Sequence, residues 1–227
     1  WSSDVCSSDL YFGKKVTHRQ MQEKIDICAR ALTAYGVRSS DAVSLCVLAM
    51  PEAVYLLYAI NKIGAIANML VMNATEAEIH EKLAVTESKV VITVDLALEK
   101  IVQASRETSV KHIIGVSLAE SMPCVIGTLY KWKSKIKQEN CILFSEFLKA
   151  GQGKKIDCQE IKADAPAVIA YTGGTTGKAK GVLLSNRAAN TIAFQYKYAD
   201  KVLDFQNGES FLDTIPPFLA YGLFLGV

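Results

Sequence analysis

Short apolar runs alternate with longer amphipathic segments along most of the chain, and this alternation predicts strands and helices in turn. Between Met21 and Leu32, apolar residues recur at helical spacing, which predicts an amphipathic helix. Thr17 and Gln20 form a capping box at its start, and Gly36 is placed to end it.

The same alternation predicts the strands and helices of the rest of the sequence. Predominantly apolar segments of strand length predict buried strands at 43–49, 65–71, 90–94, 111–116 and 167–170, and a further strand is predicted at 209–215. Further helices are predicted from Pro51, from a second capping box at Thr75 and Glu78, and over 96–107, 126–138, 144–150 and 186–201. Strands that are apolar throughout and alternate with helices are typical of a parallel sheet covered on both faces. The predicted fold class is therefore α/β, with parallel-sheet layers flanked by helices.

One polar, glycine-rich segment interrupts this pattern between the apolar runs 167–170 and 182–184. It reads Thr172-Gly173-Gly174-Thr175-Thr176-Gly177-Lys178-Ala179-Lys180-Gly181. Glycines let the backbone approach a ligand closely, and successive backbone N–H groups can then form an anion-binding nest. Threonine hydroxyls add hydrogen bonds and oxygen ligands for a metal ion, and lysines add positive charge. A polyphosphate is the ligand that suits these groups.

The spacing excludes two common phosphate-binding motifs. The P-loop needs four residues between its first glycine and the Gly-Lys pair, followed by Ser or Thr. Here three residues separate Gly173 from Gly177, and Ala179 follows the lysine. The three glycines also do not fall in the G-x-G-x-x-G pattern of dinucleotide-binding folds.

The segment resembles the phosphate-binding signature of the adenylate-forming superfamily, which includes acyl-CoA synthetases, luciferase-like ligases and peptide-synthetase adenylation domains. That signature reads roughly Tyr-Thr-Ser/Gly-Gly-Thr-Thr-Gly-Lys-Pro-Lys-Gly, and this chain departs from it at Ala179. The Gly173-Gly174 pair is more similar to the fatty-acyl-CoA ligase branch. The resemblance implies that ATP phosphates are bound by Thr172, Gly173, Gly174, Thr175, Thr176, Gly177, Lys178 and Lys180. It also implies that the Thr176 hydroxyl is a ligand of Mg²⁺.

Two other stretches carry the resemblance. In the first, Gly36-Val37, Asp41, Pro51-Glu52 and Gly64-Ala65 match the opening segments of the family, and Ser40 stands where glycine is common. In the second, residues 215–223 resemble the family segment Leu-Pro-Leu-Phe-His-x-x-Gly-Leu, which borders the acyl and pantetheine channels.

The second stretch implies a substrate channel lined by Phe218, Leu219, Tyr221 and Gly222. Leu219 replaces the usual histidine, so the gating role of that histidine does not transfer to this chain. Plain core packing of the same side chains is the alternative.

The first ten residues differ from the rest, because they are rich in Ser and Asp and contain the near-repeat Ser2-Ser3-Asp4-Val5 and Ser7-Ser8-Asp9-Leu10. We interpret residues 1–10 as a non-native segment, translated from an adapter sequence. Residues 11–227 are expected to be part of an N-terminal AMP-binding domain, an incomplete form of the adenylate-forming ligase fold. The resemblance places the adenylation lysine and the small C-terminal domain beyond Val227, so no catalytic residue is predicted within the chain.

Charge and cysteine content limit the partners and the cellular compartment that are expected. Lys and Arg number 25 against 23 Asp and Glu, so no overall field favours nucleic acid as a partner. The six cysteines are scattered without a C-x-x-C pair, which predicts neither a zinc site nor disulfides and is typical of a reducing compartment. No apolar stretch reaches the length of a membrane-spanning helix. A cytoplasmic location is expected, with peripheral membrane contact left open.

The resemblance implies the function of the whole protein. A carboxylic acid, expected to be a fatty acid, reacts with ATP to give an acyl-adenylate and pyrophosphate, and coenzyme A then displaces AMP. ATP, Mg²⁺ and coenzyme A are the implied cofactors and co-substrates, and the chain alone is expected to be inactive. Two alternatives remain open: a peptide-synthetase adenylation domain that loads an amino acid, and a non-catalytic nucleotide-binding homologue. The acyl-chain length and the oligomeric state are not predicted.

Overall fold

A computed structural model describes residues 8–123, 127, 130, 141–156, 161–172, 179–198, 215–219 and 222. The strands among them are β1 (Ser8–Tyr11), β2 (Lys14–Thr17), β3 (Ala42–Cys46), β4 (Ile66–Met69), β5 (Val90–Val94), β6 (His112–Val116), β7 (Ile142–Leu143), β8 (Pro166–Thr172) and β9 (Lys180–Ser185). The helices are α1 (His18–Ala34), α2 (Pro51–Lys62), α3 (Glu76–Thr86), α4 (Leu98–Ala104), α5 (Phe144–Ala150) and α6 (Asn186–Tyr198).

Seven strands form one sheet in the order β7-β6-β5-β3-β4-β8-β9. Neighbouring strands from β7 to β8 are parallel, which confirms the α/β fold class, whereas β9 runs antiparallel to β8. The predicted parallel sheet is therefore confirmed, and the antiparallel strand β9 at its edge was not predicted. The physical reason for the antiparallel direction is the short connection, residues 173–179, because a parallel crossover needs a dozen or more residues.

The core lies around the middle of this sheet. All five residues of β5 are buried, as expected for a parallel strand covered on both faces. The helices that cover the sheet pack in two groups, α1 with α2 and α5, and α3 with α4. These groups bury the apolar stripes that the sequence predicts, including Ile25 and Leu32 of α1.

Local sequence signals set the helix ends. Thr17 accepts a hydrogen bond from the backbone N–H of Gln20 at 3.3 Å, and the Gln20 side chain accepts one from the Thr17 backbone at 3.0 Å. Thr75 and Glu78 repeat this reciprocal pair at the start of α3. Both predicted capping boxes are confirmed. Gly36, just after α1, has φ +81°, a left-handed value that glycine adopts without strain.

Several predicted elements are longer than the observed ones. The strands predicted at 43–49 and 65–71 correspond to the shorter β3 and β4. Val47 and Leu70 are buried although they follow the strand ends, so the apolar sequence continues beyond each strand. The predicted helix 96–107 becomes the 3₁₀ turn Asp95–Ala97 followed by α4. Most of the predicted helix 126–138 and of the strand 209–215 lies outside the described residues.

The N-terminal hairpin includes part of the segment interpreted as non-native. β1 pairs with β2 antiparallel, with Ser8 opposite Thr17 and Tyr11 opposite Lys14. Residues 8–10 thus belong to a strand, although backbone pairing is independent of where a sequence comes from. The non-native origin of residues 1–10 stays a prediction.

The turn before β3 contains a strained residue. Ser40 has φ +70°, in the left-handed region that favours glycine. Its backbone N–H donates to the carbonyl oxygen of Gly64 at 2.8 Å, and this bond ties the turn to the start of β4. The family glycine that Ser40 replaces would adopt this conformation without the steric cost of a Cβ atom.

Candidate functional site

The predicted phosphate-binding loop begins and ends at the paired ends of β8 and β9. Thr172 lies opposite Lys180, and Tyr171 lies opposite Gly181. The Thr172 hydroxyl donates a long hydrogen bond to the Lys180 carbonyl oxygen at 3.5 Å. Because β8 is parallel to β4, this pair lies at the carboxyl edge of the sheet, where open α/β sheets bind their ligands.

Of the eight residues predicted to bind ATP, the structure places two. Thr172 and Lys180 are both exposed and face each other across the base of the loop. Gly173, Gly174, Thr175, Thr176, Gly177 and Lys178 lie outside the described residues. Their roles, including Thr176 as a ligand of Mg²⁺, stay predictions.

A partly buried tyrosine of β8 links this base to the neighbouring strand β4. Tyr171 directly precedes Thr172, and its hydroxyl donates to Oδ1 of Asn68 on β4 at 2.8 Å. Burial raises the pKa of Tyr171 to about 12, so the phenol is neutral and remains a hydrogen-bond donor at neutral pH.

Asn68 is hydrogen-bonded to a series of hydroxyl groups inside the protein. Its Nδ2 donates to Ser44 Oγ of β3 at 2.8 Å and to Thr86 Oγ1 at the end of α3 at 3.3 Å. Ser44 Oγ in turn donates to Ser88 Oγ at 2.8 Å. Since Asn68, Ser44 and Ser88 are fully buried, these groups depend on each other for hydrogen bonds.

The Tyr171 ring lies between a lysine of α3 and a glycine of β9. The Lys82 ammonium of α3 lies 4.4 Å from the ring centroid, and Lys82 is only 9% exposed. Burial lowers the pKa of Lys82, and the carboxylates of Glu78 and Glu81 partly oppose this effect. A Cβ atom at Gly181 would come within 3.2 Å of Tyr171 Cε1, so the glycine lets the ring lie close against β9.

Sequence reasoning did not identify Asn68, Ser44 or Lys82. A weak signal was present, because Asn68 and Ser44 are polar residues inside otherwise apolar runs. Such residues are buried only when they have hydrogen-bond partners. The sequence contains no indication that the partner of Asn68 is Tyr171.

The predicted substrate-channel residues lie in different environments. Phe218 is half-buried and packs against the hydrophobic core, whereas Leu219 is 46% exposed. Gly222 is buried, and a Cβ atom there would lie 2.5 Å from the Pro216 carbonyl oxygen, so the chain folds back closely on itself. Tyr221 lies outside the described residues. The channel role of these residues stays a prediction.

A second polar group lies near the start of α2. Glu52 is 3% exposed, Ser121 donates a short hydrogen bond to its Oε1, and its Oε2 has no hydrogen-bond partner among the described residues. Burial raises the pKa of Glu52, and the hydrogen bond from Ser121 partly opposes this effect.

A cavity of about 390 Å³ lies at the opposite edge of the sheet, lined in part by Gly64 and Ile66 near the start of β4 and by Pro166 at the start of β8. It is therefore separate from the base of the loop. Within the part of the chain that the structure describes, no three His, Cys, Asp or Glu side chains cluster as a metal site. Over the same residues, every helix is too short or too polar to span a bilayer.

The sequence matches a known protein family and several characterised enzymes. The sequence model of the family described as "AMP-binding enzyme" matches residues 4–227. The long-chain-fatty-acid–CoA ligase of Bacillus subtilis is 28% identical over 222 residues, which cover 94% of this chain and 39% of that protein. The acetyl-coenzyme A synthetase of Serratia proteamaculans is 28% identical over 219 residues, which cover 94% of this chain and 32% of that protein.

The fold has close matches among solved structures. The ATP-bound MatB of Rhodopseudomonas palustris matches 99% of this chain and 40% of its own, with a TM-score of 0.74 at 19% identity. The chain thus spans about a third to two fifths of the length of the relatives it matches. The resemblance seen in the phosphate-binding signature is confirmed over almost the whole sequence, and the chain belongs to the family of AMP-binding enzymes.

Proposed function

We propose that this chain is the N-terminal, ATP-binding part of an acid–thiol ligase, which activates a carboxylic acid with ATP and transfers the acyl group to coenzyme A. The family match over residues 4–227 carries this proposal. It is supported by the exposed Thr172 and Lys180, which lie together at the carboxyl edge of the sheet on either side of the signature loop.

The reaction has two balanced steps. A carboxylate oxygen of the acid attacks the α-phosphorus of ATP, the bond from that phosphorus to the bridging oxygen breaks, and pyrophosphate leaves. The coenzyme A thiolate then attacks the acyl carbonyl carbon, and AMP leaves. Negative charge builds up on the departing pyrophosphate, so hydrogen-bond donors and cations around it lower the barrier.

The residues of this chain would supply those donors and cations. The Lys180 ammonium and the Thr172 hydroxyl lie at the base of the loop. We propose that the backbone N–H groups of Gly173, Gly174 and Gly177, the hydroxyls of Thr175 and Thr176, and the Lys178 ammonium complete the phosphate site.

Mg²⁺ is proposed to enter with ATP. Protein-bound Mg²⁺ often keeps several waters and takes most other ligands from substrate phosphates, so one or two protein oxygens suffice. The donor set of the loop fits this requirement through the Thr176 hydroxyl, and it does not require a carboxylate cluster. When bound, the ion would neutralise phosphate charge.

The acid is proposed to be a fatty acid. The Gly173-Gly174 pair and the apolar Phe218 and Leu219 support this choice. Since a fatty-acid ligase and an acetyl-coenzyme A synthetase are both 28% identical to the chain, the identity values favour neither acid. Acid-dependent ATP–pyrophosphate exchange with acetate, octanoate and palmitate distinguishes them, and faster exchange with the longer acids is expected.

The main experiment is ATP–pyrophosphate exchange with a longer protein that contains this chain, run beside the 227-residue chain alone. Exchange by the longer protein and none by the chain is expected, and robust exchange by the chain alone would contradict the proposal. Exchange only with amino acids would identify a peptide-synthetase module. ATP binding without exchange for any acid would identify a non-catalytic homologue.

Loop variants test the phosphate role directly. In the longer protein, Thr176→Ala and Lys178→Ala are expected to lower the exchange rate while the KM for the acid stays close to wild type. Unchanged rates in both variants would remove the proposed phosphate role.

A further inference from the structure

We propose that Tyr171 and Asn68 are positioning residues for nucleotide binding, and that the hydrogen bond between them holds the carboxyl end of β8 where the phosphate-binding loop begins. This inference rests on the proposed function, since it assigns a role within the same site. Tyr171 is the first residue of the phosphate-binding signature but is not among the residues predicted to bind the phosphates, and Asn68 lies outside the signature.

The first observation is continuity from the loop base into the centre of the sheet. Tyr171 precedes Thr172 in the chain, and its hydroxyl reaches Asn68 on the next strand at 2.8 Å. Through Asn68, the same chain reaches Ser44 of β3 at 2.8 Å. The end of β8 is thereby tied by side chains to its neighbour β4 and, through Asn68, to β3, as well as by its backbone ladder.

The second observation is that the amide of Asn68 is fully used. Its two N–H donors bond to Ser44 and Thr86, and its carbonyl oxygen accepts from Tyr171. A buried polar chain whose members are all satisfied restricts each of them to one geometry. Well-packed apolar residues often stabilise a core as much as buried charged or polar groups do, so such a chain is better explained by the geometry that it defines.

The third observation is that the Tyr171 ring has little freedom. The Lys82 ammonium lies 4.4 Å from the ring centroid. On β9, the glycine at 181 leaves space that a Cβ atom would fill at 3.2 Å from the ring. The Lys82 contact from α3 and the close approach of the ring to β9 therefore limit its movement while its hydroxyl reaches Asn68.

A fixed loop base matters because phosphate recognition by backbone N–H groups is sensitive to small displacements. Donors stabilise developing charge when they are already in place, and supporting residues set their positions. Loss of the Tyr171 hydroxyl would leave the ring packing intact but release the end of β8 from Asn68. We therefore expect ATP to bind more weakly, while binding of the acid stays unchanged.

The test measures KM for ATP, KM for the acid and the exchange rate in the longer protein. Tyr171→Phe keeps the ring and its contact with Lys82 and removes only the hydroxyl. A five- to tenfold rise in KM for ATP is expected, with KM for the acid within twofold of wild type. Tyr35→Phe is the matched control, because this half-buried tyrosine lies beside His112 and Phe147, away from the loop, and no change is expected.

A double-mutant cycle isolates the pair. Asn68→Ala is expected to raise KM for ATP at least as much as Tyr171→Phe, and adding Tyr171→Phe to Asn68→Ala should raise it little further. If Asn68→Ala does not fold, urea unfolding of Tyr171→Phe with and without ATP·Mg²⁺ replaces the cycle. The stabilisation by ATP is then expected to be smaller in Tyr171→Phe than in wild type.

The outcomes separate this proposal from the proposed function. If the wild-type longer protein neither binds ATP nor catalyses exchange, the proposed function fails and this inference fails with it. If wild type is active and Tyr171→Phe has an unchanged KM for ATP, only the positioning role is overturned. Equal rises in KM for ATP and for the acid would likewise overturn it, because they would indicate a general structural effect.

Discussion

β5 and β9 belong to one sheet but lie in opposite environments. All five residues of β5 are buried, whereas the first four residues of β9 are exposed, including Leu183 with 56% of its surface accessible. β5 pairs in parallel with strands on both sides, while β9 is an edge strand joined to β8 by an antiparallel ladder.

The difference indicates that the buried strands provide most of the stability, whereas the proposed phosphate site lies on a strand pair that buries less. The strands around β5 contribute apolar burial, the dominant favourable term in folding. The β8–β9 pair buries less and presents exposed polar groups, such as Thr172 and Lys180, beside a glycine-rich connection. A residue near the core should therefore affect unfolding, and a residue at the loop base should affect ATP use.

Truncation of leucines should show the largest contrast. Leu45 of β3 is 1% exposed, and Leu45→Ala should lower the free energy of unfolding by about 2–5 kcal/mol through lost burial and the cavity left behind. Leu183→Ala on β9 should change it by less than about 0.5 kcal/mol. Urea unfolding of the two variants measures both values, and similar losses would contradict the division into two regions.

Lys180→Ala should produce the reverse pattern. Removal of this exposed cation from the loop base should reduce ATP–pyrophosphate exchange by the longer protein about tenfold, equivalent to about 1.4 kcal/mol. The free energy of unfolding should stay within about 0.5 kcal/mol of wild type. Lys111→Ala, an exposed lysine before β6, is the control and should alter neither quantity.

Two glutamates should give smaller effects with opposite dependence on pH. Burial raises the pKa of Glu52 above 4.5. At pH values between 4.5 and the raised pKa, the folded state therefore keeps a proton that the unfolded state has lost. Its contribution to stability therefore falls as pH rises from about 4.5 through the raised pKa. Glu52→Gln should remove this fall, so the variant should become more stable relative to wild type as pH increases.

Glu78 provides the comparison on the surface. Hydrogen bonds from Thr75 lower its pKa, so its contribution is present above about pH 4.5 and is lost as pH falls through the lowered pKa. Glu78→Gln keeps the capping box and removes this loss. Urea unfolding of wild type and both variants between pH 3 and 8 tests the pair. The free energy of unfolding of the variant relative to wild type should rise with pH for Glu52→Gln and fall with pH for Glu78→Gln, and slopes of the same sign would contradict the assigned causes.

The smallest effect is expected in the turn before β3. Ser40→Gly should raise the free energy of unfolding by about 0.5 kcal/mol, because relief of left-handed strain outweighs the added freedom of the unfolded chain. Ser40→Ala keeps the Cβ atom and the strain, so it should bring no gain. A stabilised Ser40→Ala would show that the φ value of +70° is not the cause.

Part of the site was accessible to sequence reasoning. The glycine-threonine-lysine composition of residues 172–180 predicts a polyphosphate ligand, and the structure places both ends of this segment at the carboxyl edge of the sheet. Asn68 and Lys82 could not be assigned to the site. Their contacts with Tyr171 join residues about ninety to a hundred positions apart in the chain, and such contacts leave no local pattern.

The sequence by itself determined most of the buried strands and helices and the helix starts at Thr17 and Thr75, because these depend on interactions within a few residues along the chain. It also determined the chemistry of the loop. It did not predict the strands β1, β2, β7 and β9. Only the tertiary structure decided the position of β8 beside β4 and the partner of Asn68. Strand order and register bring distant side chains together, so these features follow from the packing of the whole sheet.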